Sequence, residues 1–513
     1  MNNNITAAEL FQRIADAISA KPPYRARIMH ETLVLVCAAG LSGTGHGYGN
    51  LFSQVGELCR MCRLSERDTA EVQTMRRNSN ATEPVSEEQM LYDCRALALL
   101  ISAAFKTDVP DSIVRQIPHT GRRQFATRQI KHNYIRCVVR GIEPAHLRVE
   151  ADSDGAPELL RIALSGGHHD HSYLLRMVHE GTQLNLLDCI ADDDGALLPS
   201  IIVLEPDFLI DISTIAACFE SFGHHPLLYT LNRMRPRANT QAILLGNFAS
   251  TALDDIINNA QCDMGTVMRH NFRQKAVEFA TCSEFDANKF KADAEQQMRN
   301  IRQAVDNIFA TADRSKAILE PSFVCEQLGI QGRVDLMTTD KRLLVEQKSG
   351  ANFYLQRNCR NRHGSLYIEK HYVQVLLYYG VLRYNFALRH HAVDVRLLYS
   401  KFDADHGLLS VEMLQSLFAE AIALRNRIVS AEFFMAESGF QNVIDLLRPD
   451  VLNTEGANDS FYHTYLLPQL LAVSSPLALL SDVERTYFCR MMTFVLREQQ
   501  LSKVGMQEGM GSS

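Results

Sequence analysis

Two acidic residues and a lysine lie within one short, largely apolar stretch of the chain. Residues 332–348 read Gly-Arg-Val-Asp-Leu-Met-Thr-Thr-Asp-Lys-Arg-Leu-Leu-Val-Glu-Gln-Lys. Asp335 belongs to the first apolar run, and Glu346 and Lys348 belong to the second. Paired carboxylates can hold a divalent cation, and a neighbouring ammonium can help to activate water or stabilise developing charge. Together these groups could hydrolyse a phosphodiester.

The period of a β-strand predicts how the three side chains would meet. Alternate side chains of a strand share a face, so Glu346 and Lys348 should point the same way. Residues 338–341 are a plausible turn between two antiparallel strands, and in that register Asp335 lies close to Glu346. The alternative is an ordinary hairpin whose charges lie on its solvent-facing side.

A second segment adds polar residues to an apolar helix. Residues 371–380 read His-Tyr-Val-Gln-Val-Leu-Leu-Tyr-Tyr-Gly, which predicts the start of a buried helix. Gln374 and Tyr378 are four residues apart and therefore share one helix face. Buried polar groups need partners, which a phosphate, water or a catalytic carboxylate would supply. The alternative is a purely structural helix whose glutamine is satisfied within the core.

The order Gly-x-Val-Asp, Glu-x-Lys, Gln-x-x-x-Tyr resembles the signature of RecB-like nucleases of the PD-(D/E)xK superfamily. The resemblance covers about residues 320–400. It is greatest to the nuclease half of the DNA replication ATP-dependent helicase/nuclease family and to related CRISPR-associated exonucleases. It implies a restriction-endonuclease-like α/β core, in which helices flank a mixed sheet, and DNA cleavage that depends on Mg²⁺ or Mn²⁺.

The same resemblance implies a role for individual residues. The implied catalytic residues are Asp335, Glu346, Lys348, Gln374 and Tyr378. The two acids would ligate the metal together with the backbone carbonyl of Gln347. The lysine would assist the attacking water, and the glutamine and tyrosine of the following helix would support the site.

Two departures from the family pattern concern metals. Many relatives carry an upstream Gly-x-x-x-His whose histidine is a further ligand, whereas the comparable segment here, Gly246 to Ser250, ends in serine. Spacing does not choose among four acids that could replace it, which are Asp254, Asp255, Glu320 and Glu326. Several relatives bind an iron–sulfur cluster through three cysteines that follow the glutamine helix. Beyond that helix this chain has only Cys489, so no such cluster is expected.

Basic and aromatic residues alternate between the hairpin and the glutamine helix. The cations predicted to neutralise DNA phosphates are Arg357, Arg360, Arg362 and Lys370, and the aromatic residues interleaved with them are Phe353, Tyr354 and Tyr367. Such a mixture is typical of surfaces that contact phosphates and stack on bases. The alternative is a solvated loop. A second basic run, from Arg122 to Arg140, could extend the contact.

Composition limits the remaining possibilities. The chain has 513 residues and a formal net charge of -7, so any contact with nucleic acid must come from local basic patches. Cys59 and Cys62 have CxxC spacing without a second pair, which favours reduced helical cysteines over a zinc site. The glycine-rich stretch from Gly40 to Gly49 lacks the Lys-Ser or Lys-Thr of a P-loop. No ATP site is therefore expected.

Four regions are predicted along the chain. These are a helical region at 1–130, a small β-barrel that could grip single strands at 131–200, the nuclease domain at 201–440, and a helical connector at 441–513. The connector is similar to the segment that precedes the motor in helicase–nuclease fusions, which points to a helicase subunit as a partner. With neither a signal pattern nor an apolar run of membrane-spanning length, a cytoplasmic protein without membrane contact is expected.

The sequence therefore predicts a Mg²⁺- or Mn²⁺-dependent DNA nuclease that acts on single-stranded or flapped DNA in replication, repair or defence. The alternative is a catalytically inactive DNA-binding or scaffold subunit of a helicase complex. Ser250, in place of the family histidine, favours that alternative, whereas the intact Asp335, Glu346 and Lys348 argue against it. Endonuclease and exonuclease action, polarity and sequence preference stay open.

Overall fold

The structure, a computed structural model, describes residues 5–505 apart from 82, 84, 123–129, 154–155, 168, 193 and 389–391. Part of the second predicted basic run, Arg123 and Arg128, lies outside these residues. None of the helices in the described ranges is, by itself, long and apolar enough to cross a membrane.

The N-terminal region is helical and has a core of its own. Its elements are α1 (Ala7–Ser19), α2 (Pro22–Gly40), β1 (Gly47–Tyr48), α3 (Leu51–Met61), α4 (Glu66–Asn78), α5 (Glu87–Phe105) and α6 (Asp111–Val114). Thr6 and Glu9 form a capping box that starts α1, because each side chain accepts a backbone N–H that the first turn leaves unpaired. The buried side chains of these helices form one apolar cluster that draws on this region alone.

A closed five-stranded barrel follows. Its strands are β2 (His132–Ile142), β3 (His146–Ser153), β4 (Ala156–Ala163), β5 (Gln183–Ala191) and β6 (Leu197–Leu198). They pair in the order β2-β3-β4-β6-β5, and β5 pairs back onto β2 to close the ring. Val139, Val149 and Leu186 belong to its apolar interior, as the alternation of the strands requires. The small barrel predicted at 131–200 is confirmed.

The rest of the described chain contains both strands and helices. The strands are β7 (Ile201–Leu204), which pairs with β5, β8 (Ile210–Asp211), β9 (Ala317–Leu319), β10 (Ser322–Cys325), β11 (Ile330–Arg333), β12 (Leu336–Thr338), β13 (Leu343–Lys348), β14 (Asp394–Tyr399) and β15 (Leu408–Ser410). The helices are α7 (Ile212–Ala216), α8 (Leu227–Met234), α9 (Gln241–Asn258), α10 (Met264–Gln274), α11 (Ala276–Ala280), α12 (Ala287–Phe309), α13 (Phe353–Arg357), α14 (Glu369–Phe386), α15 (Ala404–Gly407), α16 (Gln415–Ser438), α17 (Pro449–Leu452), α18 (Leu467–Ala478) and α19 (Asp482–Val504). The result is a mixed α/β architecture.

The main sheet has the strand order β1-β15-β14-β13-β12-β9. Strands β13 and β14 are parallel, whereas β12 and β13 form an antiparallel hairpin. Alternate residues of β13 face two helical layers, since Leu344 joins the cluster around α14 and α16 while Leu343 and Val345 join the cluster around α9 and α12. Burial on both faces explains why β13 begins with three consecutive apolar residues, Leu343 to Val345.

The strand β1 lies within the glycine-rich stretch from Gly40 to Gly49. Gly47 and Tyr48 pair in parallel with Leu409 and Ser410 of β15, so this stretch adds an edge strand to the main sheet. Two residues are too few to show the alternation by which a strand is recognised in a sequence. The N-terminal region is thereby joined to the sheet that carries the candidate site.

The predicted first strand of the hairpin is divided in the structure. Strand β11 ends at Arg333 and belongs to a three-stranded sheet with β10 and β8, whereas β12 begins at Leu336 in the main sheet. The carbonyl of Asp335 accepts a hydrogen bond from the backbone N–H of Glu320 at 3.0 Å. The expectation of one continuous strand through Asp335 is therefore wrong, because the chain changes sheets at this residue.

Arg425, fully buried on α16, connects the end of the barrel to the α/β core. Its Nη2 donates to the carbonyls of Glu205 at 2.9 Å and Phe208 at 2.8 Å, and its Nε donates to the carbonyl of Gly329 at 3.2 Å. A buried guanidinium is tolerated only where such acceptors converge on it. The segment that leaves β7 is therefore held against the turn between β10 and β11.

Gly380 and Gly246 test how closely α14 and α9 pack, because alanine adds the same methyl group in both helices. The new Cβ would lie 2.4 Å from Cε2 of Phe418 at position 380, but 3.4 Å from Oγ of Ser349 at position 246. Alanine favours a helix over glycine by up to about 1 kcal/mol, and overpacking costs about 1–3 kcal/mol. We expect Gly246→Ala to raise the free energy of unfolding by about 0.5–1 kcal/mol and Gly380→Ala to lower it by about 1–2 kcal/mol, measured by denaturant unfolding. Changes of the same sign would contradict the close approach of α14 to α16.

Candidate active site

The β12–β13 hairpin brings the predicted acids together. Leu336 pairs with Val345 and Met337 pairs with Leu344, so the next position along the hairpin sets Asp335 opposite Glu346. Oδ2 of Asp335 accepts a hydrogen bond from the backbone N–H of Gln347 at 2.6 Å, which holds its carboxylate against β13. The juxtaposition that the sequence predicts for these residues is the one the structure has.

Glu346 lies at the centre of the site and is only 3% exposed. Its Oε1 accepts from Nζ of Lys348 and from Nε2 of Gln374, both at 2.8 Å. Its Oε2 is buried without a hydrogen-bond partner in the described part of the chain. A buried carboxylate oxygen left in this state is costly unless a proton or a cation compensates it.

The electrostatics of the pair favour such compensation. Burial raises the pKa of Glu346 to about 8, the negative charge of Asp335 adds to the shift, and Lys348 opposes it. Burial also raises the pKa of Asp335, against the hydrogen bond from the Gln347 backbone. Two neighbouring carboxyls whose pKa values are both raised would gain from a divalent cation.

Helix α14 supplies the polar groups that face the hairpin. Gln374 reaches Glu346, and one turn later the hydroxyl of Tyr378 donates to the carbonyl of Arg333 at 2.5 Å. A Cβ at Gly332 would lie 3.0 Å from Cε1 of Tyr378, so the glycine of Gly-x-Val-Asp allows this ring to approach β11. The shared helix face predicted for Gln374 and Tyr378 is therefore turned towards the acidic pair.

His371 is a residue of the site that the sequence analysis does not single out. It precedes Gln374 by three residues on α14, and its Nδ1 lies 3.3 Å from the hydroxyl of Tyr399. Burial, with the positive charge of Lys348 next in importance, holds the pKa of His371 well below its ordinary value. This environment favours the neutral form of the His371 imidazole. The only signal for it in the sequence is the spacing of three residues from Gln374.

Two of the four alternative acids lie near the pair. Burial, together with the charges of Glu320 and Asp335, raises the pKa of Asp254 of α9 to about 7, so Asp254 lies near the acidic pair. Glu320 forms an ion pair with Arg333 at 3.0 Å and has a left-handed backbone with a φ of 48°. A non-glycine residue in that conformation marks a position held by its surroundings.

The other two acids have different neighbours. Asp255 pairs with Nδ1 of His270 at 3.0 Å. Glu326 lies in the exposed turn between β10 and β11, and its carbonyl accepts from the barrel residue Asn185 at 3.0 Å. Of the four acids, Asp254 and Glu320 therefore lie near Asp335 and Glu346. Sequence spacing cannot distinguish Asp254 from Asp255, because the two residues are adjacent. Their different surroundings result from tertiary packing.

The donor set is compatible with a hard divalent cation. Within the described residues, no three His, Cys, Asp or Glu side chains are arranged as a complete metal cage. Asp335 and the open oxygen of Glu346 nevertheless supply carboxylate ligands, and a main-chain carbonyl such as that of Gln347 could add another. Mg²⁺ commonly binds through one or two carboxylates and keeps several waters. The residues present thus fit Mg²⁺ or Mn²⁺.

Three of the four predicted DNA-contacting cations have partners inside the protein. Arg360 donates to the carbonyl of Gly49 at 2.9 Å, Arg362 pairs with Glu369 at 2.7 Å, and Lys370 pairs with Glu220 at 3.2 Å. Arg357 is exposed, and its guanidinium lies 5.5 Å from the ring centre of Phe353, itself exposed. In the described structure Arg357 is the one of the four without a hydrogen bond or an ion pair.

Tyr367 does not contribute to a stacking surface. It is fully buried, its hydroxyl donates to the carbonyl of Ser410 at 2.5 Å, and it accepts from the backbone N–H of Gly49 at 3.2 Å. The expectation that Tyr367 lies among exposed aromatic residues is therefore wrong. In the second basic run, Arg136 pairs with Asp207 and Arg140 with Glu150.

The raised pKa of Glu346 predicts how stability depends on pH in the presence of a chelator. Because the folded-state pKa of about 8 exceeds the ordinary value of 4.5, the folded state binds more protons between these two values. The free energy of unfolding should therefore fall as pH rises across this window, by up to about 1.4 kcal/mol per pH unit from this group. Glu346→Gln should flatten that fall in denaturant titrations, while Glu326→Gln, at an exposed site, should not. Equal slopes for wild type and Glu346→Gln would show that Glu346 is not buried as described.

Neither a protein-family model nor a curated protein sequence has a significant match to this chain. The interpretation of the site therefore depends on the geometry of the β12–β13 hairpin and α14. The geometry consists of two acids, a lysine, a glutamine and a tyrosine that converge from two neighbouring elements of the fold.

Proposed function

We propose that this chain is a Mg²⁺- or Mn²⁺-dependent DNA nuclease that hydrolyses phosphodiester bonds. The observation that carries the proposal is the buried, unpartnered Oε2 of Glu346 beside Asp335, with Lys348 and Gln374 bound to the other oxygen of the same carboxylate. A carboxylate that is buried from solvent and has one free oxygen is suited to bind a cation. The mixed sheet with helices on both faces is compatible with the restriction-endonuclease-like core of the proposal.

Each residue of the site would have a separate role in phosphodiester hydrolysis. When bound by Asp335, Glu346 and the Gln347 carbonyl, the metal supplies charge stabilisation for the phosphate and a lowered pKa for a bound water. Lys348 would orient the attacking water or offset negative charge as the bond breaks. Gln374 would hold the Glu346 carboxylate in position by its 2.8 Å hydrogen bond. A fixed geometry of this kind lowers the entropic cost of reaction.

Asp254 and Glu320 would complete the oxygen environment on the α9 side of the site. Both lie close enough to influence one another electrostatically, and Asp254 is also influenced by Asp335. Asp254 lies one helical turn beyond Ser250, the position at which relatives carry a histidine ligand. We propose that Asp254 compensates for that serine.

Single-stranded or flapped DNA is the substrate that we favour. Exposed Phe353 and Arg357 could stack on a base and contact a phosphate, respectively. Small barrels such as the one at β2–β6 commonly bind single strands. We also propose that a helicase subunit is a partner of this chain.

A catalytically inactive DNA-binding or scaffold subunit is the second candidate. It is favoured by the ion pair between Lys348 and Glu346, which occupies the lysine, and by the internal partners of Arg360, Arg362 and Lys370. It differs from the nuclease proposal in one outcome, which is DNA binding without DNA cleavage.

Cleavage of labelled single-stranded DNA in the presence of Mn²⁺ tests the proposal. Lys348→Ala and Asp335→Ala should each lower the cleavage rate by at least about 100-fold, because each removes charge from the reacting centre. Lys401→Ala is the matched control, since Lys401 is exposed just after β14, and it should keep the wild-type rate. Cleavage that persists in both site variants would show that the site is misplaced. Binding without cleavage by the wild type would support the scaffold function instead.

The adjacent acids of α9 give a sharper test of metal binding. Asp254→Asn should weaken Mn²⁺ binding by about tenfold in titration calorimetry, because it removes an oxygen ligand or its charge from the site. Asp255→Asn should leave Mn²⁺ affinity unchanged, since Asp255 pairs with His270. If both variants bind Mn²⁺ like the wild type, Asp254 has no part in the site.

A further inference from the structure

Helix α19 carries an apolar stripe that the rest of the described chain does not cover. Tyr487 and Phe494 are 68% and 56% exposed, and Leu479, Val483, Met491, Val495 and Leu501 are also exposed. On the opposite side, Cys489 and Leu496 are buried in the main core. An apolar row of this extent on a helix of 23 residues, about 34 Å long at 1.5 Å per residue, marks an interaction surface.

The spacing of the stripe is that of a helix–helix seam. Tyr487, Phe494 and Leu501 recur every seven residues, and Met491 lies between the first two. Knobs-into-holes packing between two helices uses this period. A groove for an extended peptide or a flat polar surface would not require it, so the seam favours a helix as the occupant.

Two charges on the same face of α19 are arranged symmetrically about Phe494. Arg490 precedes Phe494 by four residues and Glu498 follows it by four. Both side chains are exposed, and the described structure gives neither a hydrogen bond nor an ion pair to another residue. Tyr487 and Leu501 lie seven residues before and after the same position. One helical face therefore carries opposite charges, and apolar side chains, at equal distances from a single residue.

We propose that α19 pairs antiparallel with α19 of a second copy of this chain, with the two-fold axis passing near Phe494. An antiparallel copy would set Arg490 opposite the partner's Glu498, and Tyr487 opposite the partner's Leu501, twice over. The interface is isologous, as most homodimer interfaces are. The apolar stripe supplies the driving force, and the two ion pairs select the antiparallel register.

Sedimentation velocity from about 1 to about 100 μM, a range that spans weak to moderate interfaces, tests the pairing. The wild type should sediment as a dimer at the upper end. Phe494→Glu should raise the dissociation constant of the dimer by at least about 100-fold, because it brings two carboxylates together at the two-fold axis. Leu159→Glu, an equally drastic change at an exposed barrel residue, is the control and should leave the dimer intact.

Charge reversal tests the register. Arg490→Glu and Glu498→Arg should each weaken the dimer by about tenfold, since each converts both ion pairs into like-charge contacts. The double variant should restore the wild-type dissociation constant, because it only exchanges the two partners. Simple disruption of the surface would make the double variant weaker than either single variant.

Cross-linking provides a second measurement. Phe494→Cys should form an intermolecular disulfide under mild oxidation, because the two cysteines meet at the axis. Val483→Cys introduces a more exposed cysteine, but it should not form this disulfide. In an antiparallel pair, residue 483 of the second chain lies at the far end of α19. The wild type controls for the native cysteines.

Three outcomes would overturn the proposal. These are a monomer throughout the concentration range, failure of the double variant to restore association, and equal cross-linking at both positions. Mass is the readout, so the outcome is independent of DNA cleavage.

Discussion

The burial of the Glu346 carboxylate in the middle of the main sheet is the constraint on which the candidate site depends. A charged group in that place must be neutralised, and the protein supplies partners for only one of its two oxygens. Lys348 comes from the same strand and Gln374 from the helix that covers it. The second oxygen has no hydrogen-bond partner among the described residues, and Asp335 lies opposite Glu346 in the hairpin, so two incompletely compensated carboxyls lie close together.

The elements around the site explain how the β12–β13 hairpin tolerates two buried carboxyls next to each other. The first half of strand β13 presents apolar residues to both faces of the sheet, and its packing between two helical layers fixes the register that sets Asp335 opposite Glu346. Helix α14 approaches closely because Gly332 leaves room for Tyr378. Helix α9 lies on the other side and brings Asp254 near the pair. A rigid scaffold of this kind can hold carboxylates together against their mutual repulsion.

The cations of the loop between β13 and α14 serve mainly to hold the structure together. Arg360 ties this loop to Gly49 of the N-terminal region, and Tyr367 reaches the same residue. Arg362 pairs with Glu369 at the start of α14, and Lys370 pairs with Glu220, which is distant in the chain. A side chain engaged in this way is less available to a phosphate. The exposed Phe353 and Arg357 therefore carry most of the proposed DNA contact.

The sequence by itself determined the local elements, because their signals are short-range. The alternation around β13, the spacing of Gln374 and Tyr378, and the strands of the barrel all follow from periods of two or about 3.6 residues. Tertiary structure alone decided which acids lie beside the pair, that the chain changes sheets at Asp335, and that Gly47 and Tyr48 form an edge strand. It also decided that Tyr367 is buried. These outcomes depend on contacts between residues far apart in the chain, and no local pattern of residue types records them.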